Sequence, residues 1–113
     1  MINLLVDEGY AFDYLSILEI KANKNGDKMA YNHCKENLVS QVGLYEFLGI
    51  ESSQEYKELL EANLNTFNLV DAVKTNPCLG TDVDKSNYER FLKKQALQKK
   101  FFDSIGSEIK IGY

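Results

Sequence analysis

The chain has 113 residues, of which 44% are hydrophobic and 12% aromatic, and this is enough to build one compact core. It contains a single proline, Pro77, and seven glycines, which favours helices over a strand-rich sandwich, and one mainly α domain over residues 1–113 is predicted. The formal charge of −4 argues against a general nucleic-acid or anionic-membrane surface, because phosphate binding depends on Lys and Arg.

Other residues restrict the chemistry further. Arg90 is the only arginine, so bidentate recognition of a carboxylate or phosphate is limited to one place. Cys34 and Cys78 lack the spacing of a metal site and predict two reduced thiols, with one disulfide between them as the alternative. Residues 2–6 are apolar, but they are too short for a membrane span and lack the basic leader of a signal peptide. We expect a cytoplasmic protein with no membrane contact, no metal and no cofactor.

The first half of the chain predicts a strand and two helices. Residues 2–6 favour a short strand, and Asp7 can cap a helix over about residues 9–24. Apolar residues surround much of this first helix, so it should have neighbours on several sides. A turn at Gly26 precedes a second helix over residues 28–48.

The second half predicts two more helices. Ser52 and Glu55 fit a capping box that starts a third helix, which ends near residue 74 and forms a long antiparallel hairpin with the second. Residues 76–84 favour a surface crossover before a fourth helix, which begins at residue 84 or 86. The fold class is therefore a mainly α, antiparallel bundle of about four helices.

The last residues alternate in polarity. Gly106 is typical of a helix stop, and residues 107–111 then alternate polar with apolar. This pattern favours a two-stranded ribbon in which residues 107–111 pair with residues 2–6 and bring the two ends of the chain together.

Polar residues on apolar helix faces are the main candidates for a site, because a buried polar group needs a partner or costs stability. Asn63 and Asp71 lie on or beside the stripe of the third helix, and Asp13 and Lys21 lie on the largely apolar first helix. These residues could form a network that fixes the helix register. Alternatively, they line a small-ligand pocket between helices.

Two weaker patterns remain. The fourth helix carries Lys93, Lys94, Lys99 and Lys100 near aromatic residues, which would suit a polyanion such as nucleic acid, although lysines beside a core stripe ordinarily cover it from solvent. His33 is the only histidine and points about 100° away from Cys34 on a helix, so the two do not form a ready catalytic pair.

Residues 9–21, GYAFDYLSILEIK, carry a family resemblance. They resemble the opening motif of a small bacterial and phage family, numbered six-one-six-five in the domain-of-unknown-function series. That motif has a glycine, a glutamate, two apolar residues, an aspartate, a lysine and an apolar run closing in Leu-Glu-Ile-Lys. The similarity extends more loosely through residues 68–74, 96–100 and 104–108.

The resemblance implies an all-helical fold and assigns no activity. The positions that match the family pattern are Gly9, Asp13, Glu19, Lys21 and Asp71. The sequence departs from the pattern at four positions. Tyr10 and Tyr14 replace an expected glutamate and lysine, and Leu92 and Lys93 replace an expected Asn-Asp pair.

Three functional hypotheses follow. The leading one is a non-catalytic helical module, encoded by a bacterium or phage, that binds a protein partner or forms a homodimer. Its large aromatic content, seven tyrosines and six phenylalanines, would supply interface anchors. The second is a small-ligand binder or enzyme that uses Asp13, Lys21, Asn63 and Asp71. The third is polyanion binding through the lysines of the fourth helix.

Overall fold

Helices form the regular structure of the protein. The computed structural model describes residue 2 and residues 4–111, and the side chains of residues 2 and 4–102. Within this part the α-helices are α1 (Glu8–Asn25), α2 (Met29–Val42), α3 (Leu44–Glu51), α4 (Gln54–Val73) and α5 (Gly80–Ile111). A short 3₁₀ helix, Pro77–Leu79, precedes α5. The mainly α class is confirmed, with five helices rather than four and no strand among the described residues.

Local signals define the bounds of α1. The Asp7 side chain accepts a hydrogen bond from the Tyr10 amide at 2.8 Å, so it caps the helix as predicted. At the other end Gly26 adopts φ 76°, and its amide donates to the Ala22 carbonyl at 2.8 Å. The helix packs against α2, α4 and α5, which agrees with its all-round apolar pattern.

The predicted helix over residues 28–48 is wrong, because the chain breaks at Gly43. This residue has φ 93° and ψ 146°, a conformation that side-chain-bearing residues rarely adopt. Two helices, α2 and α3, therefore replace one. The predicted hairpin of two long helices is not formed, and α3 returns the chain to α4 as a separate element.

The start of the third predicted helix is shifted by one residue. Ser53 rather than Ser52 is the N-cap of α4, and its hydroxyl oxygen accepts from the Tyr56 amide at 3.1 Å. The Ser52 hydroxyl instead donates to the Leu48 carbonyl at 2.8 Å, at the end of α3. Because both serines can cap, the sequence pattern alone does not distinguish them.

The crossover predicted over residues 76–84 is also wrong. Pro77 occupies the first position of the 3₁₀ helix, where its missing amide hydrogen costs little, and α5 begins directly afterwards. The ribbon is not formed either: residues 4–6 have no regular structure, and residues 107–111 continue α5 beyond a kink at Phe102.

The core is centred on Phe12, which is fully buried. Its ring centroid lies 5.8 Å from that of Phe47, 6.4 Å from that of Tyr56 and 6.5 Å from that of Phe102. These distances fall within the favourable range for aromatic pairs. One aromatic cluster thus joins α1, α3, α4 and α5.

Candidate functional site

A buried polar network joins α1, α4 and α5, and Asn63 lies at its centre. The Asn63 Nδ2 donates to Asp13 Oδ1 at 2.9 Å and to Ser16 Oγ at 2.5 Å. The Asn63 Oδ1 accepts from Arg90 Nε. Arg90 also donates to Asn87 Oδ1 at 3.1 Å and to Asp13 Oδ2 at 3.5 Å.

The network satisfies its own members. Asn63 is 3% exposed and Ser16 is fully buried, and the Ser16 hydroxyl donates to the Asp13 carbonyl at 2.7 Å. No fully buried side-chain nitrogen or oxygen among the described residues lacks a hydrogen-bond partner. Such a network has the arrangement expected of a register-fixing device. The Arg90 side chain is 27% exposed and that of Asp13 is 12% exposed.

The four residues predicted for a pocket do not all converge. Asp13 and Asn63 are bonded to each other. Asp71 is exposed near the end of α4 and forms an ion pair with Lys74 at 3.4 Å. Lys21 is exposed on α1 and makes no hydrogen bond or ion pair with the side chains that the structure describes.

A cavity of about 350 Å³ lies beside the network. Asn63, Arg90, Asp71 and Lys74 contribute polar groups to its wall, so two of the predicted residues share one cavity. Thr66 also lines the wall, and the apolar part is formed by Ile17, Phe67 and Val70.

Ser16 and Arg90 are network members that the sequence analysis did not select. Each left a signal in the sequence. Ser16 follows Asp13 by three residues on the same helix, which places both side chains near one face. Arg90 is the only arginine in a chain whose other cations are all lysines. Their partners were not predictable, because Arg90 and Asp13 are 77 residues apart.

The lysines proposed as a polyanion face have different surroundings. Lys93 donates to Glu58 Oε1 at 2.8 Å, in a cleft that Glu61 and Glu89 also line. This contact raises the pKa of Lys93 and lowers that of Glu58. The Lys94 ammonium lies 5.6 Å from the centre of the Tyr10 ring, and Lys99 and Lys100 are exposed. Acidic residues beside Lys93 would repel a polyanion.

An apolar groove of about 510 Å³ separates α1 from α2. It is lined by Tyr14, Leu18, Asp27, Met29, Ala30, His33, Cys34 and Asn37. Burial raises the pKa of the Cys34 thiol, so it stays protonated and is a poor nucleophile. No hydrogen bond joins it to His33 among the described contacts, and the groove therefore has no activated Cys–His pair.

Carboxyl and tyrosine groups pair where α1, α2, α3 and α4 meet. The Tyr56 hydroxyl donates to Glu19 Oε1 at 3.1 Å, and the Tyr31 hydroxyl donates to Glu51 Oε2 at 2.9 Å. Burial raises the pKa of Glu19, and the nearby Glu51 charge raises it further, while the Tyr56 hydrogen bond lowers it. Burial likewise raises the pKa of both tyrosines.

Large apolar side chains remain exposed at several places. Tyr10 and Tyr14 are each 52% exposed, Tyr88 is 61% exposed and Tyr45 is 94% exposed. Four of the six tyrosines whose side chains are described are thus at least half exposed. Before α1, residues 4–6 form an apolar arm in which Leu5 is 95% exposed.

Comparisons with protein-family profiles, curated proteins and solved structures found no match. The family resemblance of residues 9–21 therefore stays a prediction. Among the described residues, no group of three or more His, Cys, Asp or Glu side chains is placed to hold a metal ion. None of the helices in the described part is long and apolar enough to cross a membrane.

Proposed function

We propose that this protein is a non-catalytic helical interaction module that acts by self-association, as a cytoplasmic accessory protein of a bacterium or phage. The observation that carries the proposal is the exposure of four tyrosines, Tyr10, Tyr14, Tyr45 and Tyr88. Tyrosine is enriched at protein interfaces, because its ring buries a large apolar area and its hydroxyl stays hydrogen-bonded.

The exposed tyrosines are accompanied by other uncovered apolar residues. Leu4 and Leu5 of the arm are 76% and 95% exposed, and Met29 at the groove is 78% exposed. Scattered apolar side chains are normal on a monomer, but contiguous apolar surface indicates an interaction site. Tyr14 and Met29 line the same groove, so this surface is contiguous across α1 and α2.

The direct test is the mass of the purified chain in solution. Light scattering should give a mass near twice 12.9 kDa at high concentration, with a shift toward 12.9 kDa on dilution. A mass of 12.9 kDa at every concentration up to the millimolar range contradicts self-association.

A second candidate is small-ligand binding in the cavity beside the polar network. The observation that favours it is the meeting of Arg90, Asn63 and Asp71 at one cavity. The wall of this cavity carries positive charge from Arg90 and Lys74 and negative charge from Asp71. A small zwitterion with one carboxylate and one ammonium group therefore fits its chemistry.

Binding of a panel of free amino acids, followed by NMR shifts of the Asn63 and Arg90 side chains, tests this second candidate function. Unchanged spectra at millimolar ligand would contradict it.

A further inference from the structure

The outward face of α1 is complementary to itself. We define the α1 face as Asp7, Tyr10, Tyr14 and Lys21. At 100° per residue, these positions fall within a sector of about 60° around the helix axis. Tyr10, Tyr14 and Lys21 are exposed, while Asp7 is half-buried as the helix cap. The face is therefore acidic at its start, aromatic in its middle and basic at its end.

In an antiparallel second copy of α1 the same residues run in the reverse order, so the acidic end of one copy meets the basic end of the other. A two-fold axis at Tyr14 pairs each residue with one equally distant on the other side of Tyr14. Asp7 then lies opposite Lys21 of the second copy, Tyr10 lies opposite Leu18, and Tyr14 lies opposite itself. Asp7 and Lys21 are 14 residues apart, about 21 Å along the helix, so the two ion pairs close both ends of the contact.

Charge supports this register independently of the aromatic residues. Lys21 is exposed and has no ionic partner among the described side chains. The Asp7 carboxylate accepts a bond from the Tyr10 amide, and a carboxylate has further acceptor sites free for a lysine. A parallel arrangement would place like charges together, so the charges select the antiparallel one.

The apolar arm extends the same contact. In this register the arm of one copy runs past the end of the other copy's α1, toward the groove where Met29 is 78% exposed. Leu4 and Leu5 would then be covered, together with the Tyr14 side of the groove.

We propose that the self-association surface is the α1 face, packed antiparallel against the α1 face of a second copy with the two arms exchanged into the two α1–α2 grooves. This rests on the proposed function, because it names the surface through which the chain self-associates. It also gives Lys21 a role between copies rather than inside the bundle.

Sedimentation of charge variants tests the surface. Lys21→Glu places two acidic groups at each end of the contact and should raise the dissociation constant of the dimer by about tenfold or more. The matched control is Lys57→Glu, which makes the same charge change at an exposed position of α4 and should alter the dissociation constant by less than about twofold. Circular dichroism checks that both variants keep the helical fold.

Cross-linking tests the symmetry axis directly. In a background with Cys34→Ala and Cys78→Ser, the Tyr14→Cys variant should form an intermolecular disulfide on mild oxidation, because the two sulfurs meet at the axis. Tyr45→Cys is the control, since Tyr45 is 94% exposed on α3 and away from the α1 face.

Three results are distinguishable. A dimer that Lys21→Glu weakens and Tyr14→Cys cross-links supports the proposal. A dimer that Lys21→Glu leaves intact, with cross-linking at Tyr45→Cys alone, overturns this surface and leaves self-association standing. A wild-type chain that is monomeric throughout overturns both.

Discussion

Asn63 of α4 donates to Asp13 of α1 at 2.9 Å inside the bundle, across 50 residues of sequence. Arg90 of α5 donates to the carbonyl oxygen of the same amide. Apolar burial is non-directional, whereas a buried hydrogen-bond set is satisfied in one arrangement only. We infer that this contact fixes the register of three helices, whether or not the neighbouring cavity binds a ligand.

Replacing Asn63 should show how much this polar network contributes to stability. Asn63→Ala removes the partner of Asp13, Ser16 and Arg90 in the interior, and we expect a loss of about 1–3 kcal/mol in the free energy of unfolding. Urea titration measures it. The control is Asn65→Ala, at an exposed position of the same helix, with an expected change within about 0.5 kcal/mol. Equal losses in the two variants would show that the network contributes nothing to stability.

Phe12 should be the most sensitive apolar position. It is fully buried against three aromatic rings, so Phe12→Ala should lower the free energy of unfolding by about 3–5 kcal/mol. Phe91→Ala, at a ring that is 46% exposed, should cost far less. Thermal melts of both variants provide the comparison. A similar fall in Tm for the two would contradict the placement of Phe12 at the core centre.

Gly9 and Gly49 both lie in helices, and replacing each of them with alanine should change the stability in opposite directions. A Cβ at Gly9 would lie 3.1 Å from the Lys94 carbonyl oxygen and 3.1 Å from Gln98 Oε1, whereas one at Gly49 would meet nothing within 4 Å. Gly49→Ala should stabilise by about 0.5–1 kcal/mol, because alanine loses less backbone entropy. Gly9→Ala should destabilise, since a backbone carbonyl cannot yield easily. Urea midpoints that rise equally in both variants would refute the close contact between α1 and α5.

Gly43 should not tolerate a side chain. At φ 93° and ψ 146° an alanine is strained, so Gly43→Ala should cost on the order of 1–3 kcal/mol relative to Gly49→Ala. Chemical unfolding compares the two variants. If Gly43→Ala were instead as stable as the wild type, α2 and α3 would be able to join in one helix, as the sequence pattern alone predicts.

Glu19 should make stability depend on pH. Its raised pKa means that the folded state holds the proton more tightly than the unfolded chain, so Glu19 lowers stability as pH rises above its ordinary value of 4.5. Glu19→Gln keeps an acceptor for Tyr56 and removes the charge. We expect Glu19→Gln to be more stable than the wild type at pH 7, and its free energy of unfolding to fall less steeply above pH 4.5.

Urea titrations from pH 4.5 to 7.5 measure this effect. The control is Glu46→Gln, at an exposed position of α3, which should leave the profile parallel to that of the wild type. A Glu19→Gln profile that also ran parallel would mean that the carboxyl is not perturbed by burial.

The sequence by itself determined the features that depend on neighbouring residues. Asp7 and Gly26 bound α1 as predicted, because caps are made by groups within a few residues of the helix end. The mainly α class followed equally from the scarcity of breakers. Asp13 and Asn63 were recognised as polar groups in need of partners, since burial of an unpaired polar group is costly on any helix.

Only the tertiary structure decided which glycine ends a helix and which polar groups meet. The backbone breaks at Gly43, which the apolar pattern ran through, yet continues helically past Gly106, which the pattern treated as a stop. Glycine permits both outcomes, so the sequence pattern alone does not select between them. In the same way Arg90 joins Asp13 because α5 lies against α1, and the aromatic core shared by α1, α3, α4 and α5 holds these helices together.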